Sequence, residues 1–270
     1  MKHFHFSFFI FQFLKRIAGS GQQLAIGRLL HCGRRPCLLW SQAGLLATGY
    51  RLPAIGFLLL FFIASCSKDD NTGNDNWVDL GLPSGTLWAT CNLGADTPED
   101  YGNYFAWGET NTKDLYDWST YRYCTAEGDS LLTLTKYNTS EVYGTVDGLT
   151  SLQTMDDAAT ARLSGTRIPT REDWEELLAG TTAEWAMQNG VGGYRLTAPN
   201  GNSLFLPAAG SSNGTELVAA GEYGFYWSAS LFTDSPDDAW SFSFQPGDHR
   251  IGSFGYRSDG QSIRPVKAGK

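Results

Sequence analysis

PTREDWEELLAG, Pro169 to Gly180, is the strongest helix signal in a chain that otherwise reads as short strands and loops. Thr170 is the expected N-cap. Asp173, three residues on, completes a capping box, and Gly180 follows the end. Trp174, Leu177 and Leu178 fall on one face at helical spacing. Glu172, Asp173 and Glu175 load the first turn, where the helix dipole favours negative charge. A shorter helix is expected over Met155–Leu163 (MDDAATARL).

The flanking text has the period of strands. GYRLTA and SLFLPA enclose Pro199-Asn200-Gly201-Asn202, a turn sequence. Trp240, Phe242 and Phe244 alternate with Ala239, Ser241 and Ser243, giving one aromatic face and one small, polar face. GFYWSAS, GSFGYRS and QSIRPVK are further strand candidates. The fold class expected is therefore α+β, with two short helices, small twisted antiparallel sheets and long loops. No linker or repeat interrupts 77–267, and about 190 residues suffice for one domain with a real core. Eight of the nine tryptophans follow Cys66. That content implies a loop-rich fold held by aromatic packing.

Upstream lies FLLLFFIASCSKDD, Phe57 to Asp70. The apolar run Ala54–Ala64 is too short to span a membrane, which takes roughly 20 residues, but fits a signal-peptide core of about 7 to 15. It follows Arg51 and ends in Ile63-Ala64-Ser65-Cys66, which resembles a bacterial lipobox. Cys66 is then the lipidation site, and two or more acyl chains there anchor stably. Residues 1–65 are expected to be leader and lipoprotein signal peptide, with the part before about residue 50 either a long leader or a start assigned too early. Residues 66–76 read as a flexible acidic tether. Seven of the 20 Lys and Arg precede Cys66 and all 28 acidic residues follow it, leaving 13 against 28, net −15. So acidic a remainder argues against nucleic acid and against basic adhesion to lipid.

WVDLGLPSGTLWATCNLGADTPEDYGNYFAWGET resembles the opening of the Fibrobacter succinogenes major paralogous domain, a family of Bacteroidota lipoproteins. The similarity continues through YDWSTYRYC, LTKYN, YGTVDGLT, DDAA, RIPTREDWEELL, GYRLTAPNGNSLFLPAAG, GFYWSAS and GQSIRPV. It implies a C-type-lectin-like fold related to formylglycine-generating enzymes. It also implies an outer-membrane address, lipid-anchored and facing the exterior, which the acidic run after Cys66 matches. Where relatives carry a cysteine, this chain has AGTTAEW. Read without the family, Gly81, Gly85, Gly102 and Gly108 permit turns, and Trp88, Trp107 and Trp227 fill the core.

Catalytic signals are weak. His249 is the only histidine after Cys66. Gly210-Ser211-Ser212-Asn213-Gly214 matches G-x-S-x-G but lacks the strand–turn–helix context of a nucleophile elbow and reads as a loop. Glu109 in WGET reads as a loop-tying carboxylate rather than half of a glycosidase pair. Asp234–Asp238 (DSPDD) lacks EF-hand spacing and reads as a solvated turn. His31, Cys32 and Cys37 fall short of a zinc ligand set. No phosphate-cradling loop or basic groove is present. No catalytic residue, metal or cofactor is therefore expected. An oxidising compartment permits a disulfide between Cys91 and Cys124, worth about 3–4 kcal/mol on the loop-entropy account. The competing reading makes both free core thiols, with Cys91 on a strand.

The function expected is a surface binding module for a glycan or protein ligand, without catalysis. A structural component of an outer-membrane complex is the alternative, and an enzyme on the related fold stands third. Late loops on a rigid scaffold are where binding residues collect. The contact residues expected are Phe232, Asp234, His249, Arg250, Phe254 and Tyr256: rings for stacking, charges for orientation.

Overall fold

The computed structural model describes residues 76–125 and 132–269. The expected leader, the expected lipidation site Cys66 and nearly all of the expected tether lie outside the described residues. The strands in chain order are β1 Trp77–Asp79, β2 Thr86–Ala89, β3 Cys124–Thr125, β4 Thr133–Leu134, β5 Thr182–Gln188, β6 Val191–Thr197, β7 Ser203–Pro207, β8 Ser211–Asn213, β9 Glu216–Val218, β10 Gly224–Leu231, β11 Asp238–Gln245, β12 Asp248–Tyr256 and β13 Val266–Ala268. They form small antiparallel sheets: β1-β2-β13, β5-β6-β7, β10-β11-β12 and the pairs β3-β4 and β8-β9. Two α-helices, Ala158–Arg162 and Arg171–Gly180, complete a sheet-rich α+β fold among the described residues.

The long helix starts as its sequence dictates. The Thr170 hydroxyl accepts from the Asp173 amide, and the Asp173 carboxylate accepts from the Thr170 amide. Gly180 is its last residue rather than the one beyond it. Trp174 and Leu177 are fully buried, each contributing about 2–3 kcal/mol of hydrophobic stabilisation. Trp174 meets Trp88 at 4.7 Å and stacks on Phe242 at 5.1 Å. The expected Met155–Leu163 helix is split. Asp157 is extended and caps Ala158–Arg162 by accepting from the Thr160 amide. The residues before it close a 3-10 turn, Thr154–Asp156.

β10 and β11 divide the core. Successive strand residues point to opposite faces. Tyr226, Phe242 and Phe244 thus join Trp88, Trp174 and Tyr194 on one side, while Trp227 and Ala239 join Trp107, Tyr121 and Tyr137 on the other. Ser241 and Ser243, expected on a polar outer face, are buried by this second cluster. Gly81, Gly85, Gly102 and Gly108 all have positive φ, as turn glycines should. QSIRPVK is not a continuous strand. Gln261 and Ser262 make isolated bridges to Phe105 and Tyr226, and pairing resumes only at Val266, because Pro265 has no N–H to donate. GSSNG is a hairpin strand, β8, turning into β9. No helix follows it, so it forms no nucleophile elbow.

Candidate functional site

Two arginines underlie the late loops, and the sequence reading passed over both. Arg257 is fully buried. Its guanidinium donates to the carbonyls of Lys136, Tyr137 and Pro236 and to the Tyr121 hydroxyl at 2.7–3.0 Å. It also lies 4.9 Å from the Trp107 ring. Four separate stretches of chain thereby converge on one cation. Arg264, equally buried, donates to Asn92 Oδ1 and to the carbonyls of Ala89, Thr90 and Phe205. Burial lowers its pKa. Arg257 fixes loops that have no regular backbone ladder, whereas Arg264 ties the end of β2 and its following bend to β7.

The six expected contact residues are spread along the β11–β12 hairpin and the turn before it. β11 and β12 pair with Phe244 opposite His249 at one end and Asp238 opposite Tyr256 at the other. Six strand steps separate those ends, about 20 Å. His249 is exposed beside the β11–β12 turn, its ring edge on Tyr194 at 5.5 Å. Arg250 is exposed and sits 5.0 Å over the Phe254 ring. Phe232 leaves in another direction, packing on Trp240 at 5.0 Å, over which the Arg171 guanidinium lies at 3.9 Å. Asp234 is exposed in the turn between β10 and β11. The hairpin thus sets His249 and Tyr256 at opposite ends of one strand pair, with Arg250 and Phe254 in contact between them.

At the Tyr256 end, other residues converge. Tyr256 is 48% exposed and its ring lies 5.7 Å from Trp118. Trp118 is braced edge-on by Tyr121 at 5.3 Å, the ring whose hydroxyl Arg257 holds. Burial raises the Tyr256 phenol's pKa, and the charges of Asp238, Asp237 and Asp259 around it add to the rise. Asp238 is half-buried and accepts from Ser253 Oγ at 2.7 Å. Burial and the neighbouring Asp237 and Asp259 push its carboxyl up to about 7. Burial pushes Asp259 up to about 6, against hydrogen bonds from the Tyr256 amide and Asn213 Nδ2. Among the described residues neither carboxylate forms an ion pair. DSPDD is thus a turn, as expected, but its last aspartate is not a solvated one.

Glu109 behaves as a loop tie. It accepts from the Arg122 amide at 2.8 Å and from Lys113 Nζ at 3.0 Å. Cys91 lies in a bend just past β2, not on a strand, and Cys124 is on β3; both are free thiols and half-buried. The disulfide is therefore not formed. Among the described residues no group of His, Cys, Asp and Glu has metal-binding geometry, and no helix is long and apolar enough to cross a membrane. A shallow depression of ≈ 490 Å³ lies away from the acidic face, at the C-terminus of the long helix, lined by Gly180, Thr182, Glu184 and Pro199.

Trp118 was legible only as part of an aromatic run, and Asp259 only as a turn residue. Neither carries a spacing signal, since their elements meet through tertiary packing alone. Searches of family models, curated proteins and solved structures each returned no match to this chain.

Proposed function

We propose that the chain is a lipoprotein, anchored through Cys66 in the outer membrane and facing the exterior. Its C-type-lectin-like domain binds a ligand, a protein or glycan, through the Trp118–Tyr256 face and performs no catalysis. One observation carries this reading. An open aromatic pair stands beside two half-buried carboxylates that have no cationic partner among the described residues, on loops fixed from beneath by Arg257. Rigidly supported loops with unspent polar groups are what a binding surface requires.

The test has two parts. Fatty-acid labelling should vanish in Cys66→Ala, and labelling retained in that variant contradicts the anchor. Protein and glycan arrays probed with the purified protein should give saturable binding that Trp118→Ala and Tyr256→Ala weaken by more than about 1 kcal/mol each, as hot spots do. Binding untouched by both places the site elsewhere.

A second reading, a structural component of a surface assembly, draws on β12. Among the described residues that strand pairs with no strand but β11, and beyond the side-chain bonds to its Phe254 carbonyl and Tyr256 amide its outer edge carries no ladder; such an edge is a template for strand addition. Stable co-purification with a neighbouring surface protein, abolished by a proline within β12, favours it.

A further inference from the structure

The acceptors around Tyr256 are in excess of the donors. Asp237 takes Ser235 Oγ at 2.6 Å and the Tyr143 hydroxyl, and Asp238 takes only Ser253 Oγ among the described residues. Asp259 takes the Tyr256 amide and Asn213 Nδ2. Each of these donors is neutral. A fourth acceptor is independent of the carboxylates. Gln261 is wholly buried; its Nε2 donates to the Phe254 carbonyl at 3.0 Å, while its Oε1 has no partner. Its amide points into the same cluster. A Cβ built on Gly255 would stand 2.9 Å from Asp259 Oδ2 and 3.1 Å from Gln261 Nε2, so amide and carboxylate flank one backbone position. Gly255, at φ +136°, lets both groups approach the backbone where a Cβ would collide with the carboxylate. A buried acceptor with no donor costs about 1–3 kcal/mol, and carboxylates this close repel one another.

The three carboxylates lack the same thing, a donor with positive charge, and the buried Gln261 oxygen lacks a donor of any kind. The inner cation, Arg257, is spent on carbonyls and the Tyr121 hydroxyl. Above the carboxylates stand two rings, Trp118 and Tyr256, half-buried and exposed respectively. An aromatic face attracts a cation, and a guanidinium stacks flat while its N–H groups fork toward carboxylates.

We propose that this face takes a cationic side chain, arginine or lysine, presented by a protein ligand, with Asp238 and Asp259 as its counter-ions and Trp118 and Tyr256 as its stacking wall. The inference rests on the binding face proposed above and specifies its ligand.

The probe is N-acetyl-arginine amide, titrated into the full chain labelled with 5-fluorotryptophan. The Trp118 fluorine resonance is assigned by its absence in Trp118→Phe. Its neutral isostere, N-acetyl-citrulline amide, is the control. The expected result is a saturable shift of the Trp118 resonance with the arginine probe and none with citrulline. Asp238→Asn/Asp259→Asn should weaken the response at least tenfold, while the other tryptophan resonances stay in place to report an intact fold. Equal shifts from both probes, or a response unchanged in the double variant, overturn the proposal. A Trp118 shift produced by a neutral oligosaccharide but not by acetyl-arginine amide overturns the cation while leaving the face in use. A resonance moved by no probe overturns the cation, and the array experiment then decides separately whether the face binds at all.

Discussion

Asp156 and Asp238 are both withdrawn from water, and they have opposite fates. Asp156 is almost fully buried yet receives Lys136 Nζ, the Tyr137 hydroxyl and the Tyr123 hydroxyl. Burial alone would raise its pKa, but those donors outweigh it and hold the carboxyl below its usual range. Asp238 is less buried, has one neutral donor and two acidic neighbours, and is pushed up to about 7. The pair shows what compensation looks like in this molecule. Where a charge serves the fold, donors surround it. Where donors are missing although the surroundings are otherwise well packed, a ligand is the natural source of them.

The largest expected effect lies on the compensated side. Arg257→Met should leave three carbonyls and a phenol without their donor and cost about 3–5 kcal/mol, as breaking a buried polar network does. Chemical denaturation measures it, and a loss under 1 kcal/mol would mean that the convergence of loops on this cation is incidental. Next, Asp156→Asn should destabilise by about 2–3 kcal/mol, seen in the same assay, because Lys136 then loses its counter-charge.

Asp238 should behave in reverse. A carboxyl whose folded pKa is raised penalises the fold above that pKa. The penalty shrinks as pH falls through about 7 and about 6, for Asp238 and Asp259, and is gone below the unfolded value of 3.8. Asp156 and Asp173, held low, contribute stability above 3.8 that is lost as pH falls through their folded values. The melting temperature should therefore rise from pH 8 to about pH 5 and fall at stronger acid. Asp238→Asn should flatten the upper limb, stabilising by about 1–2 kcal/mol at pH 8 and by little at pH 5. A melting temperature that climbs steadily with pH to 8 sinks this assignment. The smallest effect belongs to the far end of the hairpin. His249→Ala should change stability by no more than about 0.5 kcal/mol and leave ligand binding unaltered, because His249 is exposed and far from Tyr256 along the strand.

Local signals in this chain were legible and long-range ones were not. The capping box at Thr170, the aromatic alternation at Trp240–Phe244 and the turn at Pro199–Asn202 involve residues near in sequence. Propensity and period therefore identify them. The break at Asp157 was missed because a capping side chain outcompeted helix continuation. The site was only half legible. Tyr256 was found from its place near the last strands, but Trp118, more than a hundred positions earlier, touches it through tertiary packing alone, braced by Tyr121, whose hydroxyl Arg257 holds. His249 and Arg250 were grouped with Tyr256 because they are close in sequence, and an extended strand turns that closeness into distance.

Two carboxylates beside Tyr256 stand without a counter-ion among the described residues. Side-chain carboxyl carbons of the aspartates, followed by NMR from pH 3 to 9, test it directly. Two titrations near 7 and near 6 are expected, the upper one lost in Asp238→Asn and the lower in Asp259→Asn, which separates them from Asp157, also raised by its burial. If Asp238 and Asp259 both titrate at or below about 4.5, close to the ordinary carboxylate value, they are compensated and the face is not waiting for a cation.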